Sequence, residues 1–205
     1  MAEIFFAGIA GLHRLITGAD APTAFKASTL RNCHVQLVVT PIGPRLPKFQ
    51  GYHSSLLIDR VEYSFSGRGL SKAEGPMSHG PFRRRSSDSS FIDFGWHLID
   101  IPAFESAVKK HFAPGTYDLL RKNCNSFSDT ALQLITGKRL DEKYRRLEAL
   151  GHKVDKKVSF VQRATAGAYA PNPRAGGFDP CLAARSCHRE VSAAADGPAR
   201  VPLCC

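Results

Sequence analysis

Residues 123–129 carry the sequence Asn-Cys-Asn-Ser-Phe-Ser-Asp, a polar stretch that stands directly before a run of apolar residues at helical spacing. This run continues as far as Gly137, so the pattern predicts a helix that begins close to Cys124. A cysteine at the N-terminus of a helix faces unpaired backbone N–H groups and the positive end of the helix dipole, and both stabilise the thiolate. Cys124 is therefore a candidate nucleophile.

A nucleophilic cysteine needs a base, and histidine is the side chain best suited to that role near neutral pH. Of the eight histidines, three are set aside because they lie in a polar loop or beyond the last predicted helix: His79, His152 and His188. His53 opens a predicted strand directly after Gly51-Tyr52 and can project from a sheet edge toward a helix start. His34 and His97 also lie in predicted strands and remain alternatives.

The two halves of the chain carry different periodicities. In the first half, β-branched and alternating residues predict four strands, at residues 34–40, 53–59, 61–65 and 91–101. Asp59-Arg60 joins the second and third of these in a hairpin, while the polar residues 71–90 predict a mobile surface loop. In the second half, the helical pattern predicts helices at residues 104–112 and 141–150 besides the one after Cys124.

The composition excludes several classes of protein. A chain of 205 residues suits one ordinary domain with some extra chain, and two full catalytic domains would not fit. With 43% hydrophobic residues and 13 Phe the chain is too apolar to be wholly disordered, yet no apolar run approaches the roughly 20 residues of a membrane span. The formal charge of +10 admits nucleic acid, anionic lipid or an acidic protein as a partner without choosing among them.

Both ends of the chain differ from its middle. Residues 1–31 carry apolar residues at helical spacing and predict a short amphipathic helix or an extension; a signal peptide is the weaker alternative because Glu3 replaces the usual positive charge. Residues 161–205 are rich in Ala, Gly and Pro, and this composition predicts a disordered tail. Residues 32–160 remain as the predicted folded domain.

The cysteine distribution bears on compartment and on metal binding. Four of the six cysteines fall in the last 25 residues, which favours a reducing compartment, the cytoplasm and also the nucleus, over a secreted disulfide scaffold. Their spacing matches no zinc motif, so we expect neither metal nor cofactor. Cys33 is expected in the core. Cys204-Cys205 could accept lipid groups, and we expect membrane attachment only through them.

Four separated motifs resemble the PPPDE family of permuted papain-fold peptidases, which includes the desumoylating isopeptidases. They are Gly-Tyr-His-Ser at residues 51–54, Val-Glu-Tyr-Ser-Phe-Ser-Gly at 61–67, the block at 117–128 that contains Asn-Cys-Asn-Ser-Phe-Ser, and Thr-Gly-Lys-Arg at 136–139. The resemblance covers about residues 32–160. It implies an α+β, permuted papain-like fold in which a small antiparallel sheet or barrel packs against helices.

The resemblance also implies a site and a reaction. It makes Cys124 the nucleophile and His53 the catalytic histidine, in a thiolate–imidazolium pair that cleaves ubiquitin or a SUMO-like modifier from its conjugates. The backbone N–H of Cys124 suits an oxyanion, and Asn123, Asn125 and Gln36 are candidate side-chain donors. No carboxylate partner for His53 is recognisable in the sequence, so we expect a dyad. Some relatives form homodimers.

Other functions remain open at this stage. A thioesterase or depalmitoylase would need the same dyad, and a lecithin retinol acyltransferase-like enzyme resembles this arrangement, although its motif reads Asn-Cys-Glu-His-Phe. A basic binding module would use residues 83–85 and the region around residues 138–157. No aromatic residues are interleaved with those charges in the manner of a base-stacking platform, so no specific nucleic-acid partner is expected.

Overall fold

One antiparallel sheet of five strands forms the centre of the protein in the computed structural model, which describes residues 29–43, 50–83, 88–146 and 169–196. The strands are β1 (Leu30–Ile42), β2 (Gly51–Ile58), β3 (Val61–Ser66), β4 (Gly69–Glu74) and β5 (Ser90–Asp100), in the spatial order β4-β3-β2-β1-β5. The helices are α1 (Ile101–His111), α2 (Cys124–Thr136) and α3 (Pro180–Asp196). This arrangement confirms the α+β class.

Strand pleating gives the sheet two different faces. Val35, Leu37 and Val39 alternate along β1 on the face that packs against the helices, and Leu56 and Ile58 of β2 share this face. All five are buried in one core cluster with α1 and α2. We call this the helix face. The opposite face carries the polar residues Thr40 and Ser55, and the short 3-10 helix Met77–Phe82 lies against it.

The predicted hairpin is confirmed at Asp59-Arg60. These two residues adopt positive φ angles of 47° and 71°, the conformation of a two-residue turn whose twist matches that of the flanking strands. The Asp59 carboxylate accepts a hydrogen bond from the backbone N–H of His34 at 2.8 Å. This bond offsets part of the strain of a turn without glycine and holds the turn against β1.

The first predicted helix is confirmed as α1. The Asp100 side chain caps it by accepting from the backbone N–H of Ala103, and Phe104 and Val108 bury its apolar side. Of the helix predicted at 141–150, the structure describes a 3-10 turn at Glu142–Tyr144 and one helical residue at Arg146; residues 147–150 lie outside the described ranges.

The prediction of a disordered tail is wrong for residues 169–196. α3 packs against α1 and α2, with Ala183, Ala184 and Cys187 buried in the interface and Glu190 paired with Lys110 at 2.7 Å. Alanine has the best helix propensity, and small residues allow helices to pack closely. Neither the helix propensity nor the small size of these residues makes the segment more hydrophobic. The apolar signal of this helix is therefore weak in the sequence.

The prediction of a mobile loop at residues 71–90 is also wrong in part. β4 extends to Glu74, and the 3-10 helix that follows buries His79 completely. His79 bonds to Thr40 through Nδ1 at 2.7 Å and to Ser55 through Nε2 at 2.9 Å. The segment is polar because it faces polar residues of the sheet, and for that reason it resembles a solvated loop in the sequence.

Other sequence predictions fall partly or wholly on residues that the structure leaves undescribed. These include residues 1–28, Ser86-Ser87 and Cys204-Cys205. Cys33 is fully buried, as expected. Within the described ranges, every helix is too short or too polar to traverse a lipid bilayer.

Candidate active site

Cys124 is the first residue of α2 and is almost completely buried. Asn123 caps the helix: its side-chain oxygen accepts from the backbone N–H groups of Asn125 and Ser126 at 2.8 and 3.1 Å. The Ser126 hydroxyl returns the interaction by accepting from the backbone N–H of Asn123, which completes a capping box. The thiol is thereby fixed at the positive end of the helix dipole, where a thiolate is favoured.

A tight turn at residues 118–122 lies directly before Cys124. The buried Asp118 carboxylate accepts from the backbone N–H groups of Leu120 and Arg121, and the backbones of Asp118 and Lys122 bond to each other. The carboxylate also accepts from the Tyr169 hydroxyl at 3.0 Å and, at 2.7 Å, from the backbone N–H of Asn172. Residues from the region predicted to be disordered therefore help to hold the turn before Cys124.

Asn125 joins the start of α2 to the strand that carries His53. Its side-chain oxygen accepts from the Ser54 hydroxyl at 2.7 Å, and its side-chain nitrogen donates to the carbonyl oxygen of Tyr52 at 3.1 Å. The same nitrogen donates to the carbonyl oxygen of Tyr144 at 2.9 Å. Tyr52 and Ser54 flank His53 directly, so the residue after Cys124 is bonded to both neighbours of the candidate base.

The sheet is splayed beside this contact. The pairing of β2 with β3 covers Leu56–Ile58 and Val61–Tyr63, whereas β3 continues to Ser66 in its pairing with β4. The part of β2 around His53 therefore lies beyond the β3 ladder, and Asn125 bonds to the strand there. This opening in the sheet gives α2 access to the segment that carries the histidine.

His53 is nearly buried, and its ring contacts the 3-10 helix Met77–Phe82. The ring Nε2 lies 2.8 Å from the Ser78 hydroxyl, and the ring centroid lies 4.6 Å from that of His79 and 5.0 Å from that of Phe82. Burial lowers the pKa of His53 to about 4, and the negative charge of Glu62 opposes this shift. The imidazole is therefore neutral at pH 7.

The predicted side-chain donors occupy different places. The amide groups of Asn123 and Asn125 are both bonded within the fold, Asn123 to the first turn of α2 and to the carbonyl of Leu119, and Asn125 to β2. Gln36 pairs with Leu57, four residues along β1 from the position opposite His53, a separation of about 13 Å at the usual rise per residue. The structure does not bring Gln36 to this site.

A buried carboxylate, which the sequence analysis did not find, lies behind His53. Glu62 of β3 accepts from the Ser78 hydroxyl at 2.6 Å and from the Ser78 backbone N–H at 2.8 Å, and it lies 3.6 Å from His79. The alternation of residues 61–65 places Glu62 on the polar face of the sheet, and such a face is ordinarily exposed to solvent. Only the covering 3-10 helix turns this position into a buried one.

The Thr-Gly-Lys-Arg motif at residues 136–139 lies at the C-terminal end of α2. Gly137 ends the helix in a left-handed conformation with φ of 71°, which glycine adopts at little cost. The chain then returns so that Arg139 binds the fully buried carboxylate of Asp129 through two nitrogens. The motif therefore fixes the helix that carries Cys124 rather than contributing to its chemistry.

The described part of the chain brings no three His, Cys, Asp or Glu side chains together in a way that would hold a metal ion. A search of curated proteins finds no match to the sequence. A family model described as the PPPDE putative peptidase domain matches residues 32–164, which is more than half of the chain and confirms the family resemblance seen in the sequence. On this match and on the five-stranded α+β architecture, the chain belongs to the PPPDE peptidase family.

Proposed function

We propose that this protein is a cysteine isopeptidase that removes ubiquitin or a SUMO-like modifier from proteins, with Cys124 as nucleophile and His53 as general base and acid. The observation that carries the proposal is the Asn125 side chain. It bonds to Tyr52 and Ser54 on either side of His53 and so holds the helix start against the strand that bears the base.

The proposed reaction has two stages. The Cys124 sulfur attacks the carbonyl carbon of the isopeptide bond as its proton passes to His53, and the backbone N–H of Cys124 stabilises the oxyanion. The imidazolium then gives that proton to the departing lysine amine, which leaves a thioester on Cys124. Water, activated by His53, attacks the thioester, releases the modifier's carboxylate and restores the thiol.

The neutral His53 suits a general-base mechanism better than a preformed ion pair. Burial lowers its pKa to about 4, so at pH 7 the ring is ready to accept the thiol proton during attack. The formal charge of +10 favours an acidic modifier or target during encounter. The proposal places the protein where such conjugates occur, in the cytoplasm and the nucleus.

The test uses ubiquitin and SUMO that carry a C-terminal electrophile, with the adduct measured by intact mass spectrometry. We expect a covalent adduct with the wild type, none with Cys124→Ala and a much slower one with His53→Ala. Cys33→Ala is the matched control because Cys33 is an equally buried free cysteine on β1, and it should react as the wild type does.

A thioesterase is the competing function, because it would use the same dyad. If the wild type forms no modifier adduct but hydrolyses an acyl thioester in a manner that depends on Cys124, the isopeptidase proposal is overturned in favour of a depalmitoylase. If neither reaction occurs in a folded wild type, both enzymatic proposals fail.

A further inference from the structure

A chain of hydrogen bonds leads away from His53 to a buried acid. The ring Nε2 of His53 meets the Ser78 hydroxyl at 2.8 Å, and this hydroxyl donates to Glu62 at 2.6 Å. Glu62 is only 1% exposed, so its carboxylate interacts with these groups in place of water. Three elements contribute: β2, β3 and the 3-10 helix Met77–Phe82.

The donor count fixes where the proton of the neutral imidazole sits. A serine hydroxyl has one hydrogen, and the ionised carboxylate of Glu62 can only accept. The Ser78 hydrogen therefore points to Glu62, and the Ser78 oxygen must accept from the ring. His53 then carries its hydrogen on Nε2, and its lone pair is on Nδ1.

We propose that Glu62 and Ser78 are positioning residues that hold the proton of His53 on Nε2 and so present Nδ1 as the base for the Cys124 thiol. This inference rests on the proposed function, which makes His53 that base. The sequence predicted a dyad without a carboxylate; the geometry points to a carboxylate that acts through a serine hydroxyl.

The same chain assists each proton transfer. When the thiol proton moves to Nδ1, the ring becomes cationic, and the Nε2 hydrogen stays on the ring in its bond to Ser78. The negative charge of Glu62 stabilises that cation through the Ser78 hydroxyl while the sulfur forms its bond to the substrate carbon. When Nδ1 returns the proton to the leaving amine, the ring regains the tautomer that it had before.

Charged and titratable groups beside the ring come from β3 and from the 3-10 helix. Glu62 of β3 raises the pKa of His53. Burial is the chief cause that lowers the pKa of His79 in the 3-10 helix to about 3, and electrostatic interactions with His53 and Arg83 add to it, so His79 is neutral. The two ring nitrogens of His79 bond to Thr40 and Ser55, and these bonds hold the ring in place beside His53.

The first experiment is a direct measurement of the tautomer by ¹⁵N NMR of the imidazole nitrogens in the labelled full chain. We expect His53 of the wild type to carry its hydrogen on Nε2. Glu62→Gln keeps an acceptor for Ser78 and should keep this tautomer, whereas Ser78→Ala should lose it. A wild-type hydrogen on Nδ1 would overturn the proposal.

The second experiment measures the rate at which iodoacetamide alkylates Cys124, followed by peptide mass spectrometry across pH 5–9, with the half-buried Cys181 as internal reference. Ser78→Ala and Glu62→Gln should each slow alkylation at pH 7 by roughly ten-fold. Ser71→Ala and Glu105→Gln are the matched controls, since each removes a hydrogen-bonded serine or carboxylate away from His53, and both should react as the wild type does.

The outcomes separate this inference from the proposed function, because iodoacetamide needs no modifier. If His53→Ala slows alkylation but folded Ser78→Ala does not, the positioning role is overturned while the dyad stands. If His53→Ala reacts at the wild-type rate, the dyad itself fails. Should Glu62→Gln fail to fold, Ser78→Ala still decides, because Ser78 is only partly buried.

Discussion

Asp129 and Arg139 form a two-point ion pair, with Nε 2.8 Å from Oδ1 and Nη2 2.6 Å from Oδ2. Asp129 lies in the middle of α2 and is completely buried, while Arg139 remains partly exposed beyond the end of the helix. The same carboxylate accepts from the backbone N–H of Leu140 at 2.8 Å. The pair therefore clamps the chain that follows α2 onto the helix that presents Cys124.

Arg139→Ala should lower the free energy of unfolding by about 3 kcal/mol, because it leaves a buried carboxylate without its main counter-ion. Urea denaturation measures this loss. Lys72→Ala is the control: Lys72 also pairs with a carboxylate, that of Glu105 at 2.8 Å, but half of its side chain is exposed. It should cost less than about 1 kcal/mol. Equal losses in the two variants would contradict the clamp.

Asn125→Ala should weaken both stability and reaction at Cys124. It removes the bonds to Ser54, Tyr52 and Tyr144 and leaves buried polar groups unpaired, at a cost of about 2 kcal/mol. Adduct formation with a modifier electrophile should slow as well, because the hydrogen bonds from Asn125 to β2 are lost. Gln133→Ala, on the same helix, is the matched control, because within the described residues its Oε1 makes no hydrogen bond. An Asn125 variant that matches this control would refute the bridging role.

Stability should fall as the pH drops from about 6.5 toward 4. Burial lowers the pKa of His53 to about 4 and that of His79 to about 3, whereas an unfolded histidine titrates near 6.5. In this window the unfolded chain binds protons that the folded chain does not, so stability is present above pH 6.5 and is lost on acidification, at roughly 1.4 kcal/mol per pH unit for each histidine.

Urea unfolding at pH 7, 6, 5 and 4.5 measures this dependence. His53→Gln should reduce the slope because it removes one of the two histidines whose pKa values are lowered most. His188→Gln, at an exposed position on α3, should leave it unchanged. A wild-type stability that stays constant between pH 7 and 4.5 would contradict the prediction.

Ala184→Leu should destabilise the protein by about 2 kcal/mol, because Ala184 is buried where α3 packs against the domain, and an added side chain overpacks the interface. Ala193→Leu is the matched control on the same helix, since Ala193 is exposed, and it should change stability by less than about 0.5 kcal/mol. Thermal unfolding of both variants measures the difference. If the two behave alike, α3 is not part of the folded unit.

The parts of the fold that the sequence predicted correctly depend on short-range patterns. The start of α2 follows from a polar stretch before a helical run, and the hairpin at Asp59-Arg60 follows from two strand patterns separated by a turn. In both cases the residues that decide the structure are neighbours along the chain. The placement of Cys124 at a helix N-terminus therefore needed no knowledge of tertiary contacts.

The parts that the sequence did not reveal depend on which segment covers which surface. Glu62 and His79 are polar residues in patterns that ordinarily face solvent, and they are buried only because the 3-10 helix closes over the second face of the sheet. α3 was missed for a different reason: Ala183, Ala184 and Cys187 pack by being small, and small residues carry little hydrophobic signal. No periodicity in one sequence distinguishes these cases from a loop or a tail.

The bonds from Tyr169 and Asn172 to Asp118 also have a consequence for how the protein is made. A chain that emerges from the ribosome has its whole sheet and the helix of Cys124 outside the exit tunnel before residues 169–172 follow. The turn that leads into Cys124 can receive these bonds only when those residues arrive. The newborn chain therefore has its sheet and the helix of Cys124 outside the ribosome before this turn gains its last two hydrogen bonds.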